Sequence, residues 1–553
     1  MPIVHTVLEV EAARLEMTAF ASNREGEGRV DNVLLELRPR GKDPIAATPV
    51  VGVSIDGGCR EENIGRDGLV VQAGAPQALY LVADCRLGRF TCDGREVSFG
   101  LERRRLEPDR PARYFVRVPQ QGQSLEQLRD GLSAPSALLE ETRRYWTGWQ
   151  ALRGGVQMHY PGRQQEFLTA SARNILQARE EKNARLTFQV GATCYRGLWI
   201  VDGHFILESA RYLGYDEEVQ QGLVTTWSQQ EADGGLFAGG GREHWKDTGI
   251  ALFTLVRQAE LSQDWRFFDE MRPQVLRAIR FLMALRDRAR QGSSANGRYG
   301  LLAPGFCDGG VGGVRSEFTN TLWVLAGLRA VVEAATRQRL DGFDEARRFH
   351  QELRAACFTA ARQEMRRHPG GFDYLPMVMK EDPDWDSQDD WNRHQPQVAQ
   401  WALSHAIYPG LVFERDDPVV RGHVALMQAV TREDVPVETG WTHLGGLWTY
   451  NAAFVAHVYL WAGLRDWARR TFVGFLNHAS PLYAWREEQP LRGALVSGYV
   501  GDMPHNWASA ECILYLRHML ALEDGSRLRL LGGVGAPELA AGEPYRLTGS
   551  PTR

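Results

Sequence analysis

The sequence predicts a mainly α fold, in which six helical hairpins close into an (α/α)6 toroid behind an N-terminal β-sandwich. Three observations predict it: about twelve helical stretches beyond residue 160, short alternating strands before residue 130, and long Gly- and Asp-rich loops between the helices. At 553 residues the chain exceeds the usual length of one domain, so two or more units are expected.

Residues 1–130 carry runs such as Val33-Leu34-Leu35-Glu36-Leu37, Leu69-Val70-Val71-Gln72 and Ala78-Leu79-Tyr80-Leu81-Val82, separated by Gly, Asp-Gly and Pro-Arg turns. Period-two alternation broken by turn residues marks strands with one face buried, and it is read here as the sandwich. From Leu125 to Trp149 the pattern turns helical, so residues 131–160 are expected to form a linker-helix region. Beyond them apolar residues recur every three or four positions, as one buried face of an α-helix requires. The predicted helices span 165–182, 201–213, 215–228, 246–262, 265–287, 317–336, 342–367, 395–407, 417–430, 448–463, 464–478 and 505–521. They place the toroid within 161–525 and leave 526–553 as a C-terminal tail. A (β/α)8 barrel is disfavoured, because eight Val/Ile-rich parallel strands would have to lie between these helices.

Composition excludes several classes of function. The hydrophobic share of 43%, the charged share of 24% and a net charge of −5 describe an ordinary globular chain, with no basic stripe for nucleic acid. The seven cysteines (59, 85, 92, 194, 307, 357 and 512) are odd in number and show no CxxC or Cys/His spacing; reduced thiols and no structural metal are expected. No apolar run reaches the ~18 residues of a membrane span, and the N-terminal segment is charged where a signal peptide needs an apolar run. A cytoplasmic location is therefore expected. Sixteen Trp and sixteen Tyr are more than packing usually demands, and flat amphipathic rings stack well on sugar faces.

The loops 231–244, 291–316, 369–394, 431–447 and 480–504 are long enough to carry function. Tyr195-Arg196-Gly197-Leu198-Trp199 leads into a helix through Asp202 and His204, bringing rings, a guanidinium and a carboxylate to one helix mouth, although Asp202 could equally serve as a cap. Glu243, Trp245 and Asp247 lie within one turn after three glycines, and Asp308 opens a second Gly-rich loop ahead of Glu317 and Asn320. No strand precedes either loop, so neither reads as a nucleotide site. The 381–394 loop holds six acids with Trp385 and Trp391; it lacks the Gly and terminal Glu of a calcium loop and reads as a substrate rim. Near the C-terminus Trp485 precedes Glu487 and Glu488 on a loop, where a general base needs to be, and His505 and Asn506 open the last helix, while Trp448 opens an earlier one. Hydrolysis of a glycosidic bond needs one carboxylic acid to protonate the leaving oxygen and a second carboxylate to activate water or to attack. Acids far apart in sequence but on one face of a ring meet that need.

The order of these motifs from about Tyr145 to Leu522 resembles the clan of (α/α)6 glycoside hydrolases that includes glucoamylases, trehalases and, more distantly, α-L-rhamnosidases. Glu166 to Ser171, Arg179-Glu180 and Tyr195 to Gly203 look like the clan's first hairpin. In glucoamylase-like enzymes the Asp of a Trp-x-Arg-Asp motif holds the sugar in the cleavage subsite; here Val201 stands in place of that Arg before Asp202. The resemblance implies a general acid at Glu243 or Asp247, with Asp202 as the alternative that other branches suggest. It implies a base at Glu487 or Glu488, similar to the rhamnosidase Trp-Glu motif. Arg196, Trp199, His204, Trp245, Asp308, Trp391, Trp448, Trp485, His505 and Asn506 are the expected sugar ligands. The expected activity is exo-acting, inverting hydrolysis of an α-linked glycoside or oligosaccharide without a cofactor. A phosphorylase, epimerase or lyase on the same toroid, or a non-catalytic sugar-binding protein, is the alternative.

Overall fold

A computed structural model describes residues 3–24, 28–54, 81–88, 90–93, 96–119, 125–182, 185–192, 194–380, 395–442, 445–492, 500–535, 542 and 544–553. The chain divides into two compact units, Met1–Gln150 and Ala151–Arg553.

Among its described residues the first unit is built on ten strands: β1 (Ile3–Glu9), β2 (Ala13–Arg24), β3 (Gly28–Pro39), β4 (Ile45–Ala47), β5 (Val50–Ser54), β6 (Val82–Ala83), β7 (Phe90–Asp93), β8 (Glu96–Gly100), β9 (Arg104–Leu106) and β10 (Ala112–Pro119). An antiparallel sheet runs in the order β1-β2-β3-β10-β6, beside a β5-β8-β7 sheet and a β4-β9 ribbon. Leu35 and Leu37 of β3 and Tyr114 and Val116 of β10 share one core with Phe99 of β8 and Leu106 of β9. In β3 the buried leucines alternate with Glu36 and Arg38, as the pleat dictates. The other face of the large sheet is covered by α1 (Leu125–Asp130) and α2 (Pro135–Gly148), through Phe20 and Phe115 against Leu138 and Leu139. Thus α2, expected in the linker region, belongs to this unit. The expected strand at Leu69–Gln72 and the residues Ala78–Tyr80 lie outside the described residues.

The second unit is helical. Its chain runs through α3 (Arg163–Gln177), α4 (Ile200–Tyr212), α5 (Asp216–Trp227), α6 (Lys246–Ser262), α7 (Arg266–Glu270), α8 (Arg272–Gln291) and α9 (Ala295–Tyr299). It continues through α10 (Thr319–Arg337), α11 (Asp344–Glu364), α12 (Trp401–Ile407), α13 (Pro418–Ala429), α14 (Asn451–Ala462), α15 (Arg465–Asn477) and α16 (Asn506–Leu520). Helices α4, α6, α10, α12, α14 and α16 each pack on the next, and α16 packs back on α4, which closes an inner ring. The sequence explains the division of labour. Every residue of α4, α12 and α16 is buried, as befits a helix surrounded by protein. By contrast α11 buries Ala346, Phe349, Leu353, Cys357 and Ala360/Ala361, the three-and-four spacing of a helix with one inward stripe. Helices α3, α5, α8, α11, α13 and α15 form the outer layer against these inner partners.

The predicted helices are all present, with local differences. The 265–287 stretch breaks at Met271 because Pro273 restarts the chain as the N-terminus of α8. The end of the 165–182 stretch leaves the helix: Arg179–Lys182 pairs antiparallel with Arg185–Phe188, and Arg179 Nε caps the Leu176 carbonyl at 2.7 Å. The 395–407 helix starts only at Trp401, and Trp448, expected on a helix, lies on a strand Gly446–Trp448 paired with Glu488–Pro490. Part of the expected tail is likewise structured, since Arg546–Thr548 pairs with Gln157–His159. Among the described residues no helix is long and apolar enough to cross a membrane. Among the described residues Cys85, Cys307, Cys357 and Cys512 carry free thiols.

The closest crossing in the ring is α6 with α10. A Cβ on Gly249 would lie 2.7 Å from Val324 Cα, and one on Gly327 would overlap the Gly249 carbonyl oxygen. With backbone on both sides, the clash has no flexible side chain to absorb it. Gly327→Ala is therefore expected to destabilise the second unit by about 1–3 kcal/mol through overpacking, read as a lower midpoint in urea; an unchanged midpoint would show that the two helices are free to separate.

Candidate active site

The first turns of the inner helices gather at one end of the ring, and the charged side chains gather with them. Asp202 stands in the first turn of α4, Lys246 and Asp247 in that of α6, Asp308 in the loop before α10, and Glu487 in the loop before α16. Asp202 feels the charges of Asp308, Lys246 and Asp247, while Glu487 feels those of Glu488, Asp202 and Asp308. Separate segments of the chain thus bring Asp202, Asp308 and Glu487 to one mouth.

Among the described residues, the cation in contact with this group is Lys246. Lys246 Nζ lies 3.1 Å from Asp308 Oδ2 and 3.8 Å from Asp247 Oδ1, and it donates to His244 Nδ1 at 2.6 Å. Burial works against the ammonium, but the two aspartates outweigh it and its pKa is raised. The same contact acts on Asp308: burial opposes its charge, yet the Lys246 ammonium holds it below the usual carboxylate range. His244 is driven down to about 4, by burial and then by Lys246, so it stays neutral and accepts from the lysine. The other acids lack a direct cation. Burial, with Asp308 adding to it, pushes Asp202 up to about 8, and burial and then Glu488 push Glu487 well above its ordinary value. Like charges this close cannot all ionise, so the group retains protons at neutral pH.

Aromatic side chains line the mouth. Tyr195 packs edge-on against Trp199 at 5.1 Å and against His505 at 5.7 Å, and its hydroxyl bonds Glu487. His505 stacks on Tyr450 at 4.8 Å. Asp502 holds the Tyr195 loop in place, its two oxygens accepting from Cys194 and Tyr195 N–H at 3.1 and 2.9 Å. Glu487 Oε2 has no hydrogen-bond partner and lies against Gly501, whose φ of 75° and lack of a Cβ both fit that approach. Below, the ring axis is filled: Trp507 stacks on Phe205 at 5.1 Å and meets Trp401 edge-on at 5.9 Å, so the mouth has an aromatic floor. Trp448 packs on Trp401 and Tyr450 from the side.

Other expected site residues have different surroundings. Glu243 is exposed, and Asp247, 2% exposed, faces the Ala238 N–H at 3.5 Å. Both oxygens of Glu488 are taken by the Trp441 and Thr442 N–H groups, at 2.5 and 2.6 Å. His204 lies in the ring interior between Phe205 and Phe253, its Nδ1 at 3.1 Å from Thr254 Oγ1, because it sits a full turn into α4. Trp485 is core, stacked on Phe475 at 4.4 Å, and Trp245 is fixed through Nε1 to the Pro304 carbonyl at 3.1 Å. Arg196 is exposed and pairs with Glu180 at 3.1 Å. Asn506 ties α16 to the Gln189 carbonyl at 2.8 Å. Trp391 lies outside the described residues. Sequence reasoning brought the Tyr195 ring to the helix mouth but missed Lys246, Tyr450 and Trp401. A signal for Lys246 existed: the chain holds four Lys (42, 182, 246 and 380) among 64 basic residues, and only this one opens an otherwise apolar helix.

No protein-family model matches the sequence, and no curated protein matches it either. Its structure resembles a bacterial glucoamylase complexed with acarbose, with a TM-score of 0.61 at 11% identity over 94% of this chain and 85% of that one. It also resembles a rhamnosidase from Klebsiella oxytoca with rhamnose bound (TM-score 0.51, 13% identity, 93% and 89% covered). A putative kojibiose phosphorylase from the human microbiome is similar as well (TM-score 0.50, 9% identity, 95% and 75% covered). At these identities the likeness is one of fold: the second unit has the glycoside hydrolase-like (α/α)6 architecture.

The buried carboxyl of Asp202 makes stability depend on pH. Its folded pKa of about 8 exceeds the ordinary aspartate value of 3.8, so the folded state keeps a proton that the unfolded chain loses. Stability from this group is full below the unfolded value, is lost as pH rises, and is gone above about 8. An Asp202→Asn variant carries no such loss. Its Tm relative to wild type is expected to climb between pH 5 and 8 and level off above; a difference independent of pH would mean that Asp202 is not buried as an acid.

Proposed function

We propose that the protein is an exo-acting, inverting hydrolase of α-linked glycosides, with Asp308 and Glu487 as the acid–base pair. The observation that carries the reading is the delivery of these two carboxylates from distant parts of the chain into one aromatic-walled mouth of a closed helical ring. One protonates the leaving oxygen and the other takes a proton from the attacking water, as glycosidic cleavage requires. Asp308 is preferred to Asp247 because a quarter of its side chain (25%) is exposed, against 3% for Asp247. Glu487 is preferred to Glu488 because it keeps one oxygen free of hydrogen bonds. Asp202, Tyr195 and His505 surround the terminal sugar, and Trp199 flanks it. The aromatic floor of Trp507, Phe205 and Trp401 makes the mouth a dead end, which suits a chain terminus. The resemblance to a glucoamylase and a rhamnosidase supports the same class of substrate.

The phosphorylase-like neighbour keeps phosphorolysis in view. A phosphate seated there would meet the ionised carboxylate of Asp308, which favours water as the acceptor.

The test is a panel of nitrophenyl α-D-glucoside and α-L-rhamnoside, with maltose, kojibiose and trehalose, followed by NMR of the first-formed anomer. Turnover is expected without phosphate and with inversion. Asp308→Asn and Glu487→Gln are each expected to lower kcat/KM by roughly 10²–10⁴-fold. The acid variant is expected to keep activity on glycosyl fluorides, and the base variant to be rescued by azide. Full activity in either variant, or strict dependence on phosphate, would overturn the assignment.

A further inference from the structure

A second cavity lies within the ring, at the end away from the mouth. The inner helices set their first turns at the mouth, whereas Glu208 of α4, Arg257 of α6, Ala330 of α10, His457 of α14 and His518 of α16 stand in later turns. Together they line a cavity of about 60 Å³. At roughly 10–15 Å³ for each water-sized group, it has room for about four to six of them. It backs onto the floor of the mouth, because Phe205 and His405, which stack on Trp507, line it too. The charged groups around it are paired among themselves. Arg329 and Arg553 reach Glu333 at 2.7 and 3.1 Å, Arg553 also reaches Glu260 at 2.7 Å, and Arg257 bridges Glu208 and Glu523. The imidazoles are not paired in this way. His405, His457 and His518, at most 5% exposed, carry ring nitrogens without a hydrogen-bond partner: both in His405, Nε2 in His457 and Nδ1 in His518. Burial keeps all three neutral, with His457 driven down to about 4 and the other two well below their ordinary value. In two of them the second nitrogen fixes the tautomer. His457 Nδ1 lies 2.9 Å from the Ala453 carbonyl, which can only accept, so the lone pair is at Nε2. His518 Nε2 lies 3.5 Å from the Tyr212 hydroxyl, whose proton goes to Glu208 at 2.9 Å, so its lone pair is at Nδ1. Glu511 adds an O–H, since burial pushes its carboxyl well above the usual range while Oε1 accepts from Trp507 Nε1 at 3.0 Å.

We infer that this cavity is a second binding site, for a small neutral polyol, recognised by His405, His457 and His518 under the floor of the mouth. The pattern of donors and acceptors selects the ligand. A cation would face the N–H of His405 and the O–H of Glu511, and an anion would face the lone pairs of His457 and His518; a hydroxyl donates or accepts as each partner requires. With its charges already paired, the lining offers no net charge to hold an ion. Among the described residues no group of His, Cys, Asp and Glu has the arrangement of a metal site. The rings of Phe205, Phe253 and Phe454 also line the cavity, and they suit a carbon skeleton, whereas water gains no hydrogen bond from them. The site stands apart from Asp308 and Glu487, so the inference does not depend on the hydrolase reading.

The experiment titrates glycerol and erythritol into the full-length protein labelled with ¹⁵N-histidine, with the imidazole nitrogens followed by NMR. Saturable shifts are expected at His457 Nε2 and His518 Nδ1, while His505 of the mouth stays unchanged. Ala330→Leu fills the cavity from α10 and touches none of the carboxylates of the mouth; it is expected to raise Kd about tenfold or more, corresponding to ~1.4 kcal/mol. Where that variant fails to fold, the smaller Ala330→Val takes its place with a change in the same direction. Shifts that do not saturate, or no shifts, would overturn the inference and leave water as the occupant. Saturable shifts confined to His505 would overturn it by placing the polyol in the mouth, and an unchanged Kd in the folded Ala330 variant would do the same for this cavity.

Discussion

Closure of the inner ring is the constraint on which the rest of the second unit depends. A helix enclosed by two ring neighbours, an outer helix and the ring's own axis has no solvent side, so α4, α12 and α16 are buried along their whole length. Polar chemistry is then confined to the ends. At one end stand Asp202, Lys246, Asp308, Glu487 and His505; at the other, Glu208 of α4, Arg257 of α6, Arg517 of α16 and Glu523 form a buried network with Arg257 Nη2 2.9 Å from Glu208 and Nη1 2.6 Å from Glu523. That network is balanced, with two guanidiniums facing two carboxylates. The mouth is not balanced, and its imbalance is what gives it chemistry.

At the mouth, among the described residues, several carboxylates share the ammonium of Lys246. Its closest acid, Asp308, is held ionised, whereas Asp202 and Glu487, further from it, are pushed up by burial and by one another. Helix N-termini soften but do not remove this repulsion, since each contributes only about half a charge and only over its first turn. A crowded site of this kind is costly to fold and useful to a catalyst, because the same desolvation that strains the acids separates their proton affinities. The stacked floor of Trp507, Phe205 and His405 maintains the strain by keeping water from entering along the axis.

The twelve helices were legible because their burial patterns are statements about local spacing. The α6 stretch 246–262 coincides with its predicted bounds, Asp202 lies in the first turn of a predicted helix, and the loops between helices were located well enough to hold Asp308 and Glu487. What was not legible was which member of each loop turns inward. Trp485 and Trp245 look like sugar platforms in a loop sequence, but whether a ring meets solvent or Phe475 depends on elements hundreds of residues away or on neighbouring loops. His204 failed for a simpler reason: two positions past Asp202 on a helix is slightly more than a half-turn, enough to move a side chain from the mouth to the interior.

Glu487 and Glu488 show the same rule in extended chain. Successive side chains of a strand point to opposite faces, so adjacent acids cannot share a task. Glu488 begins the strand that pairs with Gly446–Trp448 and turns to the 440–442 backbone; Glu487, one residue earlier, turns to Tyr195 and Gly501. The pair therefore ties two loops to one strand end, one acid facing the reaction and the other facing the 440–442 loop. Any displacement of the strand moves both at once, which makes the spacing between the inward carboxylate and that loop a property of a single short ribbon rather than of two independent loops.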